Sequence, residues 1–262
     1  MNFNLKNKNV IVSASSKGIG FSAVKLFLEE GANVTMLSSN RKNLDIAVNK
    51  LSNYQDRVHT IICDINNYDD IKKAVKSAED KFGSTDVLVN NCGGPKPGYF
   101  DQLNEDDWLN GYYQVLMSAV RFTREVLPGM KKKNNGRIIN VTSLSVKQPV
   151  DNLLLSNTFR SALTAFTKSL SNDISKYNIT LNNVAPGYTH TERLDELAEI
   201  RAESSGKSKD EIFSEMASGI PLKRIGAPEE IASMIVFLAS EQGGYVNGTT
   251  IQVDGGVIKS TY

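Results

Sequence analysis

Cysteine is scarce in this chain, and the sequence has neither a long apolar run nor an excess of one charge. The only two cysteines, Cys63 and Cys92, make a disulfide framework unexpected. Both lie in or beside apolar runs and are interpreted as small buried hydrophobes. The first residues include no apolar stretch of the length that a signal peptide or a membrane span needs. We therefore expect a soluble, cytoplasmic protein that does not act at a membrane.

The charges nearly cancel, with 30 lysines and arginines against 29 aspartates and glutamates. Such a chain has no overall field that draws it to nucleic acid or to an anionic membrane, so any affinity for phosphate must come from a local site. The basic run at 131–133 follows a predicted helix and is interpreted as solvated surface. We expect no nucleic-acid partner, and the sequence does not indicate a metal site.

Strand and helix patterns alternate along the chain. Several predicted strands are continuous apolar runs, as parallel strands covered on both faces require. The predicted strands are 9–13, 33–38, 57–64, 86–90, 136–142, 179–185 and 249–254, and the helices are 18–30, 43–51, 69–82, 106–127 (stopped by Pro128), 153–177, 192–219 and 228–239. This order predicts an α/β chain, a doubly wound Rossmann fold whose parallel seven-stranded sheet has helices on both faces. No linker or repeat interrupts the pattern, so one domain is expected over residues 1–262.

A glycine-rich turn follows the first predicted strand and leads directly into an amphipathic helix. Backbone N–H groups of such a turn, together with the helix N-terminus, can approach a pyrophosphate closely. Ligands of doubly wound sheets bind beyond the carboxyl ends of the strands, where this turn lies. We therefore predict a dinucleotide site at the turn, with an ordinary serine-capped turn as the alternative. The turn consists of Ser13, Ala14, Ser15, Ser16, Lys17, Gly18, Ile19 and Gly20.

Further motifs follow in a fixed order: NNCG at 90–93, Pro-Gly at 186–187 and GTTIQVDGG at 248–256. With these motifs the chain resembles the short-chain dehydrogenase/reductase family over nearly its whole length, especially the 3-oxoacyl-carrier-protein-reductase-like branch. The family's turn is usually Thr-Gly-x-x-x-Gly-x-Gly, whereas here Ser13 and Ala14 replace the first two residues. A methyl group at Ala14 is a mild departure if φ is negative there and a strained one if φ is positive.

The resemblance implies a nicotinamide dinucleotide that lies across the ends of several strands. It also implies a homo-oligomer, either a tetramer or a dimer, and a helical substrate lid over about 190–219. In the family, an Asp-Ile pair, which Asp64 and Ile65 match here, borders adenine. The Pro-Gly pair, at 186–187 in this chain, lies beside the nicotinamide. The predicted cofactor-binding residues are Ser13, Ser15, Ser16, Lys17, Gly18, Ile19, Gly20, Ser39, Asn40, Arg41, Asp64, Ile65, Asn91, Gly93, Arg160, Pro186, Gly187 and Thr189.

Charge at the end of the second predicted strand favours NADP over NAD. NAD-selective Rossmann sites place a carboxylate there, which binds the ribose 2′-hydroxyl. This chain has Ser39, Asn40 and Arg41 instead, and Lys17 lies in the turn. A 2′-phosphate would meet a hydroxyl, an amide and one or two cations. The alternative interpretation is that both cations are solvated surface residues.

The resemblance also implies a catalytic Ser, Tyr, Lys and Asn, and this chain departs from three of the four. Ser143 occupies the serine position, but Ser156 stands for the tyrosine, Arg160 for the lysine and Val115 for the asparagine. A serine hydroxyl is a far weaker acid than a phenol. An arginine stays charged and offers a planar fork of donors. The predicted catalytic residues are Ser143, Ser156 and Arg160.

Two functions follow from this pattern, and the sequence leaves both open. The favoured one is an NAD(P)-dependent oxidoreductase that transfers hydride between the nicotinamide and a small carbonyl or alcohol substrate by an atypical proton path. The other is a dinucleotide-binding sensor or structural partner without catalysis. The retained Ser143 supports the enzyme, whereas the three departures support the alternative. Tyr188 and His190 are further candidates for the proton donor, although a loop histidine is interpreted first as solvated.

Overall fold

Parallel strands form the centre of the molecule. The computed structural model describes residues 3–261. Within them, seven strands make one sheet in the order β3-β2-β1-β4-β5-β6-β7, all parallel. This arrangement confirms the predicted doubly wound α/β fold. The strands are β1 Asn9–Val12, β2 Asn33–Ser38, β3 Val58–Ile62, β4 Val87–Asn90, β5 Gly136–Val141, β6 Ile179–Pro186 and β7 Thr250–Val253.

Helices pack on both faces of this sheet. They are α1 Gly18–Glu29, α2 Arg41–Asn49, α3 Tyr68–Phe82, α4 Glu105–Gly111, α5 Ser118–Lys133, α6 Leu154–Ile174, α7 Glu192–Ser205, α8 Lys209–Gly219 and α9 Pro228–Ala239. Successive strand side chains point to opposite faces. Val10 and Val12 of β1 therefore pack in one buried cluster with α1, α2 and α9, whereas Ile11 packs in a second cluster with α3, α5 and α6. Each face thus has its own apolar core.

The helix predicted to stop at Pro128 continues beyond it, so that prediction was wrong. α5 runs to Lys133 with the proline inside. Met130 in its last turn is fully buried, and Lys133 Nζ lies 2.8 Å from a carboxylate oxygen of Asp86. These tertiary contacts outweigh the backbone hydrogen bond that the proline removes.

The predicted helical insertion at 192–219 is a pair of helices, α7 and α8. They pack against each other through a third, small apolar cluster that is separate from the two sheet cores. The pair stands at the carboxyl-end side of the sheet, since α7 follows the loop after β6. The buried members of its cluster are Leu194, Ala198, Ile212, Met216 and Ile225.

The sheet reverses its winding direction between β1 and β4, which are neighbours at its centre. Strands β2 and β3 lie on one side of this pair and β5 to β7 on the other. A crevice opens at the carboxyl ends of the strands at such a point. Among the helices of residues 3–261, none combines the length and the apolar character needed to cross a membrane.

Candidate active site

A cavity of about 530 Å³ lies at the carboxyl ends of the central strands. It brings together the glycine-rich turn, the loop after β4, the end of β5, the first turns of α6 and the start of α7. The predicted residues that line it are Lys17, Gly18, Ile19, Asn91, Gly93, Ser143, Ser156, Arg160, Pro186, Gly187 and Thr189. Its walls do not include Ser13, Ser15, Ser16, Gly20, Ser39, Asn40, Arg41, Asp64 or Ile65.

The glycine-rich turn forms a cradle that a side chain would fill. Gly18 has a φ of 53°, a left-handed conformation that L side chains rarely adopt. A Cβ atom on Gly20 would lie 2.6 Å from the carbonyl oxygen of Ala14 and 2.8 Å from Nδ2 of Asn91. The turn also ends at the N-terminus of α1, where backbone N–H groups are available to an anion. This geometry fits the diphosphate of a dinucleotide.

Ala14 adopts a φ of 44°, so the departure from glycine is the strained one. The turn keeps its shape because neighbouring hydroxyl groups hold it from both sides. Ser13 Oγ donates to the carbonyl of Asn91 at 2.6 Å and accepts from the Asn91 amide at 2.9 Å. Ser15 Oγ accepts from the Leu37 amide at 3.1 Å.

These contacts show what the side chains of two predicted residues in the turn bind, while their place in the cofactor site stays a prediction. Ser13 and Ser15 are buried, and their hydroxyls bind the backbone of β2 and of the loop after β4. Their side chains therefore position the turn rather than face a ligand. A serine at position 13 serves as well as the family's threonine, since only the hydroxyl is used. Ser16 Oγ similarly donates to Ser38 Oγ at 3.1 Å.

The residues predicted to bind the 2′-phosphate of NADP lie together on the surface beyond β2. Ser39, Asn40 and Arg41 are exposed. Asn40 Oδ1 accepts from the Asn43 amide, which places Arg41 in the first turn of α2 rather than before the helix as predicted. The prediction missed this start because polar residues precede the apolar positions of α2. A helix N-terminus with an arginine and no carboxylate suits a phosphate group.

The other predicted adenosine-side residues lie after β3. Asp64 is exposed, and its Oδ1 accepts from the Asn66 amide at 2.9 Å, while Ile65 is half-buried. Lys17, also predicted to contact phosphate, forms a 2.6 Å ion pair with Glu192 at the start of α7. The turn and α7 are therefore linked across the cavity.

Ser143, Ser156 and Arg160 meet on the floor of the cavity. Ser143 Oγ accepts from the Ser145 amide at 3.1 Å. Ser156 and Arg160 are one turn apart on α6, and Arg160 Nε donates to Ser156 Oγ at 3.2 Å. Both serine hydroxyl protons therefore remain available to a bound oxygen atom.

The guanidinium of Arg160 does not present the open fork that the sequence suggested. Only 7% of the residue is exposed. Nη1 donates to the carbonyl oxygens of Val141 and Thr142, at 2.9 and 2.8 Å. Nη2 contacts only Cys92 Sγ, at 3.9 Å. One edge of the guanidinium is thus used by the backbone at the end of β5, whereas Nη2 has only a weak acceptor, the Cys92 sulfur.

The structure places Val115 and the two further proton-donor candidates, Tyr188 and His190, in different surroundings. Val115 lies in a π-helical turn between α4 and α5, is 1% exposed and does not line the cavity. Tyr188 lines the cavity, whereas His190 is exposed, and its ring centroid lies 6.1 Å from that of Phe213. Of these three residues, only Tyr188 lines the cavity.

The two cysteines differ, although the sequence gave no reason to separate them. Cys63 is buried, and burial together with the Asp70 and Asp64 carboxylates raises the pKa of its thiol to about 12, so it stays protonated as a packing residue. Cys92 is only half-buried and lines the cavity, so its interpretation as a buried hydrophobe was wrong. The loop after β4 bends over the cavity and carries Cys92 to its wall.

Sequence reasoning missed two cavity residues at the start of α7. Thr191 caps this helix by accepting from the Leu194 amide at 3.3 Å. Arg193 Nη2 donates to the Pro95 carbonyl at 2.8 Å, and its Nη1 lies 3.3 Å from Glu196 Oε2. The threonine before a charged helical run was a recognisable cap signal. The contact of Arg193 with the loop after β4 could not be read from a pattern.

The sheet, the cradle and the cavity define a Rossmann-type dinucleotide-binding protein. A family model described as enoyl-(acyl carrier protein) reductase matches residues 13–258. The chain is 33% identical to the uncharacterized oxidoreductase YvrD of Bacillus subtilis, over 99% of this chain and 100% of that protein. It is 32% identical to the 3-oxoacyl-[acyl-carrier-protein] reductase FabG of Chlamydia pneumoniae, over 98% and 99%.

Solved structures share the fold closely. L-sorbose reductase from Gluconobacter frateurii, complexed with NADPH and L-sorbose, superposes with a TM-score of 0.94 at 29% identity, covering 99% of this chain and all of that one. The chain therefore belongs to the short-chain dehydrogenase/reductase family. This membership makes it an oxidoreductase of the NAD(P)-dependent class and does not favour a sensor or structural partner without catalysis.

Proposed function

We propose that the protein is an NADPH-dependent reductase of a small carbonyl compound, acting also on the alcohol in reverse. The observation that carries this proposal is the single cavity in which Gly18 of the cradle and the Ser143, Ser156 and Arg160 side chains meet. The structural relative that contains NADPH and L-sorbose supports this choice of cofactor and substrate class. The bound cofactor would supply a hydride to the carbonyl carbon and leave as NADP⁺.

The cradle and its neighbours would hold this cofactor. The backbone amides of the turn would bind the diphosphate, and Ser39, Asn40 and Arg41 would take the 2′-phosphate. Asp64 and Ile65 would border the adenine. Asn91, Gly93, Pro186, Gly187 and Thr189 would line the nicotinamide side, and Arg160 Nη2 would approach the ribose there or the substrate.

The floor residues would stabilise charge on the carbonyl oxygen. Ser143 and Ser156 each accept a hydrogen bond from the protein, which leaves their hydroxyl protons to donate to that oxygen. Arg160 polarises the Ser156 hydroxyl, because a donor bonded to a cation becomes stronger. During reduction, negative charge would develop on the carbonyl oxygen, where the hydroxyls of Ser143 and Ser156 would stabilise it, and water would supply the proton. This is electrostatic catalysis in place of a tuned phenol.

Further proposals concern the surroundings of the site. The α7–α8 pair, within 190–219, would act as a lid, because Thr191 and Arg193 line the cavity beside the loop after β4. The proposal includes a homo-oligomer, a dimer or a tetramer, and a cytoplasmic location. The small-molecule substrate would enter between α7 and this loop.

Fluorescence titration with NADPH and NADH, followed by NADPH oxidation with a panel of small ketones and aldehydes, tests the proposal. We expect saturable NADPH binding and turnover of at least one carbonyl compound. Ser143→Ala and Ser156→Ala should lower kcat by about 10- to 100-fold each while leaving NADPH affinity unchanged. Tight NADPH binding without turnover on any carbonyl would support the sensor instead.

A further inference from the structure

Arg160 is the one charged side chain of the cavity wall that lacks an ionic partner among residues 3–261. The wall has five charged side chains, and the other four form two pairs near the mouth. Lys17 pairs with Glu192 at 2.6 Å, and Arg193 pairs with Glu196 at 3.3 Å. These pairs leave a net positive charge on the cavity floor.

A buried charge without a counter-ion costs free energy that its hydrogen bonds only partly offset. Arg160 is more than nine-tenths buried, and its Nε and Nη1 atoms are satisfied by Ser156 and by two backbone carbonyls. Nη2 has only the Cys92 sulfur, a weak acceptor at 3.9 Å. A ligand oxygen at Nη2 would form a stronger bond, and an anionic oxygen would also supply the missing charge.

The floor around Nη2 offers hydrogen-bond donors rather than bases. The hydroxyl protons of Ser143 and Ser156 are available, because each oxygen accepts its bond from the protein. Since Ser156 Oγ is bonded to the same guanidinium, a group at Ser156 and a group at Nη2 would be close neighbours. A small substrate that carries a carbonyl group and a carboxylate would place one of them at each position.

We infer that the substrate is a small oxo acid, whose carboxylate binds Nη2 of Arg160 while its carbonyl oxygen lies on Ser143 and Ser156. The inference rests on the proposed function and specifies its substrate class. In the reaction, the oxo acid gains a hydride from NADPH and a proton from water and becomes the hydroxy acid, and NADP⁺ is formed. The carboxylate stays ionised and takes no part in the transfer.

Binding to the NADPH complex tests the inference without requiring turnover. Butanoate and butanamide have nearly the same shape and differ in charge, and neither contains a reducible ketone. By calorimetry, butanoate should bind the wild-type NADPH complex about 10- to 100-fold more tightly than butanamide, as expected for a hydrogen bond to a buried charged group. Equal affinities would overturn the inference, and failure of NADPH itself to bind would instead overturn the proposed function.

Variants test which residue causes the preference for butanoate over butanamide. In Arg160→Gln the ratio of the two affinities should fall to about one, whereas Arg160→Lys, which keeps the charge, should retain a preference for butanoate. Arg193→Gln is the matched control, because it removes an equal charge from the same cavity wall, and its ratio should equal the wild-type ratio. A preference that survives in Arg160→Gln but disappears in Arg193→Gln would place the anion at the mouth and overturn the assignment.

Arg160 also holds two backbone carbonyls, so thermal melting must first show that Arg160→Gln folds. If it does not fold, the ratio of butanoate to butanamide affinity in the wild type and in Arg160→Lys still tests whether the cavity binds a carboxylate. Turnover gives an independent readout: kcat/KM for 2-oxobutanoate should exceed that for butanone, mainly through a lower KM, if the carboxylate contributes uniform binding. A higher kcat/KM for butanone would contradict the oxo-acid assignment.

Discussion

The turn after β1 and the floor beneath α6 face the same cavity but are built in different ways. The turn is shaped by backbone conformation, by missing side chains and by hydroxyls that bind backbone groups. The floor acts through the side chains of Ser143, Ser156 and Arg160. A site formed by backbone groups can keep its shape with Ser13 and Ala14 in place of the family's residues, because the Ser13 hydroxyl and the Ala14 carbonyl still hold the turn to Asn91. A site formed by side chains changes its chemistry whenever one of those side chains is substituted.

The comparison predicts that cofactor binding and proton transfer respond separately to substitutions within one cavity. Polar contacts hold the turn to β2 and to the loop after β4. The floor has a donor network in which, by the resemblance to the family, Ser156, Arg160 and Val115 stand where a phenol, an ammonium and a relay amide are usual. Changes in the turn should therefore affect cofactor binding, and changes in the floor should affect the reaction.

The largest effect is expected from filling the cradle. In Gly20→Val the added side chain would overlap the Ala14 carbonyl, to which even a Cβ atom would come within 2.6 Å. We expect NADPH affinity to fall by about 100-fold, since overpacking costs ~1–3 kcal/mol and also displaces the turn. Fluorescence titration measures this loss. Gly219→Ala is the control, because its Cβ would meet no atom within 4 Å, and it should bind NADPH as the wild type does.

The second prediction tests whether the floor can regain the family's chemistry. Ser156→Tyr combined with Arg160→Lys should raise kcat for carbonyl reduction by about 10-fold, below the 100-fold or more of a fully supported general acid, because Val115 leaves the relay incomplete. Ser156→Phe with Arg160→Lys adds the ring without the hydroxyl and should show no gain. Equal rates for the two double variants, in steady-state assays with an active carbonyl substrate, would mean that the pocket cannot use a phenol.

A third substitution tests the part of the cofactor site that is predicted to bind the 2′-phosphate. Ser39→Asp places a carboxylate after β2, where it repels a 2′-phosphate and can bind a ribose 2′-hydroxyl. The ratio of NADPH to NADH affinity should fall by about 5-fold, while kcat at saturating cofactor stays the same. Ser52→Asp adds the same charge beyond the far end of α2 and should leave the ratio unchanged. An unaltered ratio in Ser39→Asp would place the 2′-phosphate elsewhere.

The smallest effect is expected from relieving strain in the turn. Ala14→Gly removes the methyl from a residue with a φ of 44°. The free energy of unfolding should rise by ~0.5–1 kcal/mol, because glycine adopts this conformation without steric cost. Ala74→Gly, in the middle of α3, should lower it by about 1–2 kcal/mol, because both helix propensity and a buried methyl group are lost. Urea unfolding measures both, and a loss of stability in Ala14→Gly would mean that the methyl group packs favourably.

Much of the fold followed from local pattern. Apolar runs at helical or strand spacing identified the seven strands and most helices, because those residues are buried by any arrangement that covers a parallel sheet. The failure at Pro128 has a physical cause, since propensity acts within one segment, whereas Met130 and Lys133 are held by partners distant in sequence. The start of α2 was missed because its first residues are polar, so that the apolar spacing begins only after the cap at Asn40.

For the candidate site, the sequence by itself determined the chemical inventory: a glycine-rich turn after the first strand, no carboxylate after the second, and a serine and an arginine where a phenol and an ammonium are usual. These are properties of residue type and order, which no packing can alter. Only the tertiary structure decided that Arg160 gives one edge of its guanidinium to the end of β5, that Cys92 lines the cavity, and that the other cavity charges pair off. Each of these depends on distances between segments far apart in the chain, and such distances exist only once the sheet has formed.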